Sequence, residues 1–165
     1  MKKNNIILIG MPTSGKSTMG VILAKILGYN FIDADIVIQE REGRTLSEII
    51  ETEGIQGFIE IENRVNASIE VQKTVIATGG SVVYGKEAMD HYKNIGEVIY
   101  LKVDMDTLTK RLHHAKQRGV VMREGQSLIS LYNERSVLYE KYADVVVDEG
   151  NDSFEEVVAN ILSKV

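Results

Sequence analysis

The sequence predicts a single α/β domain, a five-stranded parallel sheet with helices on both faces, and three observations predict it. Short β-branched runs alternate with longer stretches of helical periodicity, the pattern of βαβ units whose right-handed crossovers cover both faces of a parallel sheet. The chain has 165 residues, one domain's worth at roughly 100–200 residues each. A single proline and the absence of any low-complexity tract leave no linker and no repeat, so one domain is expected over 1–165.

Each element has its own signal. Residues 6–9 are a compact apolar run ended by Gly10, a buried strand. Residues 17–27 carry apolar side chains at Met19, Val21, Ile22, Ala24, Ile26 and Leu27 before Gly28, a helix with a glycine stop. Phe31 and Ile32 lead a second strand into Asp33. Thr45-Leu46-Ser47-Glu48 is a capping box, in which the Thr45 hydroxyl and the Glu48 carboxylate each satisfy an otherwise free amide. It opens a helix that runs through Ile49 and Ile50 and stops before Gly54. A further helix is expected over 55–71, a strand over 74–77 ending at Gly79-Gly80, and a fourth strand over 98–103. A helix carrying Leu108, Arg111 and Leu112 follows. Residues 113–126 are polar, basic and weakly periodic, a loop or mobile lid. Helix returns over 128–142, a fifth strand covers 145–147, and Ser153-Phe154-Glu155-Glu156 caps a final helix through Val157 and Ile161.

Composition narrows the function. The fractions of 44% hydrophobic and 26% charged residues are those of an ordinary globular chain. Nineteen basic against 24 acidic residues give a net charge of −5, which argues against a nucleic-acid partner and requires any anion to be held by a local pocket. With no cysteine there is no disulfide, thiolate zinc site or cysteine nucleophile. The opening Met1-Lys2-Lys3 and its apolar run imitate a secretory leader, but the run is too short and Pro12 and Lys16 interrupt it. No stretch approaches the ~20 apolar residues of a membrane span. A soluble, cytoplasmic protein with no membrane partner is expected.

In parallel sheets of this kind ligands bind beyond the carboxyl ends of the strands, which directs attention to Gly10, Asp33 and Gly79. Gly10-Met11-Pro12-Thr13-Ser14-Gly15-Lys16-Ser17 fits G-x-x-x-x-G-K-[ST], with a strand before it and a helix after it. The glycines let successive amides point inward as an anion nest, and the helix adds its positive end. A chance match of the four fixed positions is on the order of one in a hundred for such a chain. The expected ligand is a nucleoside triphosphate, held by Gly10, Thr13, Ser14, Gly15, Lys16, Ser17 and Thr18, with Lys16 on the β- and γ-phosphates and Ser17 on Mg2+. Switch proteins and motors share this loop, but no Asn-Lys-x-Asp base-specificity run occurs.

Asp33-Ala34-Asp35 follows the second strand, and residues two apart on an extended segment share a face. One of the two is expected on the waters of Mg2+ and the other on an acceptor hydroxyl; the plainer reading is that one of them caps the next helix. Thr78-Gly79-Gly80-Ser81 permits close backbone approach to a ligand. His91, His113 and His114 have neither metal spacing nor a nucleophile partner and receive no role.

With these pieces placed, the chain resembles the shikimate kinase family across nearly its whole length. Phe31-Ile32-Asp33-Ala34-Asp35 resembles that family's Asp-x-Asp segment, Gly43-Arg44-Thr45-Leu46-Ser47-Glu48-Ile49-Ile50 its next helix, and Tyr142-Ala143-Asp144-Val145-Val146-Val147-Asp148 its last strand. The resemblance implies a P-loop kinase fold and ATP- and Mg2+-dependent conversion of shikimate to shikimate 3-phosphate, a step of aromatic amino acid biosynthesis, by a cytoplasmic monomer. It implies that Asp35 is the base, that Arg111 stacks near adenine, and that Arg118 in the lid reaches the transferring phosphate. It places acceptor contacts at Asp35, Glu62, Gly79, Gly80, Ser81 and Arg135, with substrate-binding helices over about 35–71.

Departures stand beside it. Phe58-Ile59-Glu60-Ile61-Glu62 keeps the family's glutamate but has Ile59 where the second carboxylate-binding arginine is usual, so Ile59 is expected on the acceptor site as an apolar wall. Arg64 is five positions from Ile59 and faces elsewhere. Ser81 replaces a third glycine, and Arg118-Gly119-Val120-Val121 and Val137 replace proline-bearing segments. Hence two alternatives: a kinase of this type acting on another hydroxylated acceptor, and a nucleotide-binding regulator. A nucleoside monophosphate kinase lacks its arginine-rich site here, and a gluconate kinase its histidine-bearing segment.

Overall fold

The structure is a computed structural model that describes residues 3–114 and 121–165. Five strands, β1 (Asn5–Ile9), β2 (Asn30–Asp33), β3 (Thr74–Ala77), β4 (Gly96–Lys102) and β5 (Val145–Asp148), form one sheet in the order β2-β3-β1-β4-β5. Every pairing is parallel. The order reverses about β1, whose neighbours β3 and β4 lie on opposite sides, and at such a switch point the loops part to leave a crevice.

Among the described residues seven helices pack about the sheet: α1 (Lys16–Leu27), α2 (Ala34–Glu42), α3 (Leu46–Ala67), α4 (Lys86–Ile95), α5 (Met105–His114), α6 (Leu128–Tyr142) and α7 (Phe154–Leu162). The period of two along β1 divides the core. Ile7 and Ile9 pack with Ile76, Val98, Met89, Tyr92 and Leu131 on one face. Ile6 and Leu8 pack with Met19, Leu23, Ile99, Val157 and Ile161 on the other. A third, smaller core of Ile38, Ile49, Phe58 and Val65 joins α2 to α3. Among the described residues no helix is long and apolar enough to cross a membrane.

The strands and caps lie where the sequence places them, within a residue or two at most ends. Both capping boxes form: Thr45 N–H donates to Glu48 Oε2 at 2.7 Å, and Ser153 N–H to Glu156 Oε2 at 2.6 Å. The two helices expected on either side of Gly54 meet there, and the left-handed φ of 72° at this residue breaks α3. The second ends at Ala67, because Ser68, Ile69 and the residues after them turn back toward β3. Helix α4, preceded by a short 3₁₀ turn over Val82–Tyr84, was not expected, although Ala88, Met89, Tyr92 and Ile95 have helical spacing and are all buried. The lid residue Arg118 lies outside the described residues.

Asn5 staples the end of the sheet remote from the crevice. Its Nδ2 donates to Val71 O at 3.0 Å and Ile95 O at 2.9 Å, and its Oδ1 accepts from Thr74 N at 3.0 Å. Each buried group stranded by its loss costs about 1–3 kcal/mol. Asn5→Ala is therefore expected to lower unfolding stability in urea by about 2–4 kcal/mol, partial access of water offsetting the rest.

Candidate active site

The loop between β1 and α1 is shaped by residues with unusual backbone angles. Gly10 has φ 150° and approaches so closely that a Cβ there would lie 2.7 Å from Leu101 O. Thr13 and Gly15 adopt φ 63° and 87°, conformations in which successive amides converge on one point. Gly15 caps α1 with no side-chain bond, and the first turn of α1 carries no acid, so its amides and positive end are available to an anion. The Thr13 hydroxyl is buried without a partner. Lys16 is buried, and its ammonium donates to Gly10 O at 2.9 Å, Met11 O at 2.7 Å and Ser14 Oγ at 3.3 Å. Burial pulls its pKa down to about 8, against the opposing pull of Asp35.

Asp35 reaches the crevice, with Asp33 beside it on Ser17, by a route other than the shared strand face expected for the pair. The chain turns into α2 at Ala34, so Asp35 lies in a helical first turn and not on extended backbone. Asp33 is the cap: its Oδ1 accepts from Asp35 N at 3.0 Å while its Oδ2 accepts from the Ser17 hydroxyl at 2.8 Å. Asp35 faces the cleft, where burial first and the charge of Asp33 second push its pKa up to about 6, against Lys16. Among the described residues no cluster of three or more acidic or histidine side chains forms a metal cage. Mg2+ does not require one, since it keeps several waters and takes one or two protein oxygens with phosphates; the paired oxygens of Ser17 and Asp33 fit that demand.

The acceptor side is floored by Gly79 and Gly80 beyond β3. A Cβ on Gly79 would lie 2.7 Å from Glu62 Oε2 and 2.9 Å from Asp35 Oδ1; one on Gly80 would lie 2.8 Å from Pro12 Cδ and 3.0 Å from Arg135 Nη1. Side chains are excluded here because acidic and basic groups crowd the backbone. Glu62 is 1% exposed, accepts from Ser81 Oγ at 2.6 Å through Oε1, and has no partner at Oε2. Burial pushes its pKa up to about 8. Arg135, also 1% exposed, stands 5.5 Å over the Tyr84 ring and donates from Nη2 to Val121 O, while Nε is unpartnered. Among the described residues no ion pair joins it to a carboxylate. The Tyr139 hydroxyl donates to Gly80 O and holds the turn.

One cleft thus takes in Lys16, Ser17, Asp35, Glu62, the Gly79-Gly80-Ser81 turn and Arg135. Ile59 does not line it; the residue is half-buried on α3, one helical turn from Glu62. The apolar wall is instead Leu46, Phe58, Leu112 and Val121. Of these, Leu46, Phe58 and Val121 stood inside motifs already singled out, but only packing shows where they point. On the other side of the loop a second cavity holds Thr18, Arg111, Glu149 and Phe154. Arg111 donates to Thr13 O at 3.1 Å and pairs with Glu149 at 3.3 Å, so Glu149, which no motif announced, fixes its guanidinium.

Comparison with known proteins agrees with this geometry. A family model described as shikimate kinase matches residues 12–165. A shikimate kinase of Actinobacillus pleuropneumoniae is 37% identical over 164 residues, covering 98% of this chain and 95% of the relative. The structure of a shikimate kinase from Acinetobacter baumannii, solved in complex with shikimate, superposes with a TM-score of 0.87 at 30% identity, covering 99% of this chain and 93% of that one. That of the Aquifex aeolicus shikimate kinase gives 0.79 at 33% identity, over 96% and 94% of the two chains. With the family model matched over residues 12–165 and a relative 37% identical across 98% of this sequence, the chain belongs to the shikimate kinase family.

Proposed function

We propose that the protein transfers the γ-phosphoryl group of ATP to a hydroxyl of shikimate, acting as a one-domain cytoplasmic monomer. The observation that carries the reading is the convergence of Lys16, Asp35, the Gly79-Gly80 turn and buried Arg135 on one cleft at the carboxyl ends of the strands. The polyphosphate lies against the loop amides, with Lys16 drawn from its carbonyls onto the phosphates. The acceptor lies over Gly79 and Gly80, its carboxylate supplying the anion that the Arg135 guanidinium lacks. The acceptor oxygen attacks the γ-phosphorus, the bond to the β–γ bridging oxygen breaks, ADP leaves, and the hydroxyl proton passes to Asp35. A Mg2+ ion would be held by Ser17 and Asp33 and would supply neutralisation of phosphate charge. Arg111 and Glu149 border the nucleoside side, and the assignment of Arg118 to the transferring phosphate rests on the family resemblance.

The test is ADP release from Mg-ATP by purified protein with shikimate, quinate, gluconate, homoserine and CMP. A rate with shikimate is expected; a rate with another acceptor alone would retain the kinase and discard shikimate. Charge-assisted hydrogen bonds are worth about 1.5–3 kcal/mol. Arg135→Leu is accordingly expected to raise the KM for shikimate roughly 10- to 150-fold, with a smaller change in the KM for ATP.

A further inference from the structure

We propose that Glu62 engages the acceptor as a protonated carboxylic acid, donating a hydrogen bond from Oε2 to an acceptor oxygen that lies over Gly79. This deepens the reading above and rests on it.

The placement of the two carboxyl oxygens carries the argument. Oε1 is occupied by the Ser81 hydroxyl at 2.6 Å, whereas Oε2 is buried, unpartnered and the nearest atom to the open side of Gly79, 2.7 Å from a Cβ built there. Asp35 Oδ1 lies 2.9 Å from the same point. Two carboxyl groups therefore flank the floor of the acceptor site. Among the described residues no lysine or arginine forms an ion pair with Glu62. The groups that face it are few. Asp35 comes from α2 and repels a second negative charge, and Arg135 comes from α6 and favours one. Tyr92 comes from α4 with its hydroxyl committed to Asn66, and Lys16 at the head of α1 is bonded to the loop carbonyls. Ile59, one turn earlier on α3, offers no charge. A carboxylate so buried, with one hydrogen bond and no paired cation, takes up a proton instead of remaining ionised. Its pKa near 8 agrees with the geometry.

Protonation changes what the site can recognise. Ionised Asp35 only accepts, and a neutral Glu62 beside it donates, so the pair matches a hydroxyl, which gives one hydrogen bond and takes one. A carbonyl offers Asp35 nothing, and an ammonium offers Glu62 nothing.

Two measurements test this. In protein labelled with 13C at the glutamate carboxyl, the resonance absent from Glu62→Gln is expected to report a neutral acid at pH 7 and to titrate near pH 8. An ionised carboxyl at pH 6 would overturn the proposal whatever the acceptor. In steady-state kinetics with shikimate, the wild-type KM is expected to climb above pH 8 as Glu62 ionises. Glu62→Ala is expected to raise KM at pH 7 by about tenfold or more, and Glu62→Gln, whose amide still donates, to recover most of that loss and abolish the alkaline climb. A glutamine variant no better than alanine, or an alkaline climb that survives it, refutes the donor role. Wild-type protein inactive on shikimate refutes the acceptor assignment instead, and the labelled carboxyl then decides this proposal alone.

Discussion

Lys16→Met is expected to reduce kcat by about 10³-fold or more with any acceptor, the loss typical when a preorganised positive group is removed from a developing charge in a dry site. The size follows from where the ammonium sits. It is buried, 2.7 Å from Met11 O, so no solvent takes over its work, and methionine fills its volume without charge or donor. Calorimetric affinity for Mg-ATP is expected to fall alongside, while the circular dichroism spectrum persists because the Lys16 side chain belongs to neither main core. A variant that retained the wild-type rate of ADP release would remove the loop from the reaction. The same burial sets an alkaline limit: with its pKa pulled down to about 8, Lys16 sheds its charge in the free protein as pH rises through that value, and kcat/KM for Mg-ATP declines there.

Asp35→Asn is the second large effect, an expected fall in kcat of about 10²–10⁴-fold from loss of a positioned base. Asparagine preserves shape and can still point at the acceptor, so the KM for the acceptor moves far less. In the wild type, kcat/KM is expected to rise as pH climbs through about 6, where burial and Asp33 have pushed the Asp35 carboxyl. The asparagine variant has no such limb. Stability moves the other way. A carboxyl whose pKa is raised on folding contributes stability that is fully present below its unfolded value and lost as pH rises through about 6. The neutral variant is therefore expected to be the more stable protein at pH 7.5, a difference that thermal unfolding across pH 4–8 measures.

How much was legible follows from how local each signal is. The phosphate loop is eight consecutive residues, and its flanking strand and helix are set by neighbours in sequence, so both could be read directly. The β-branched strands and the two capping boxes are equally local. Helix α4 carried its signal in the spacing of Ala88, Met89, Tyr92 and Ile95, which its many charged neighbours obscure. Asp35 lines the cleft from a helical first turn and not from the strand face expected for the pair, because the start of α2 depends on the Asp33 cap, which competes with strand continuation. The acceptor wall was the least legible part. Leu46, Phe58, Leu112 and Val121 come from three regions of the chain, and nothing in their local sequence says that they meet. The solitude of Glu62 and Arg135 is likewise a property of burial and distance, which only tertiary packing creates.

Tyr139 gives the cleft a mechanical asymmetry. Its hydroxyl fastens α6 to the carbonyl of Gly80, one helical turn beyond Arg135 on the same helix face, so guanidinium and glycine turn travel as one rigid jig. The opposite wall, α2 and α3, brings its own miniature interior of Ile38, Ile49, Phe58 and Val65 and is tied to that turn through a side chain instead, the Ser81 hydroxyl on Glu62.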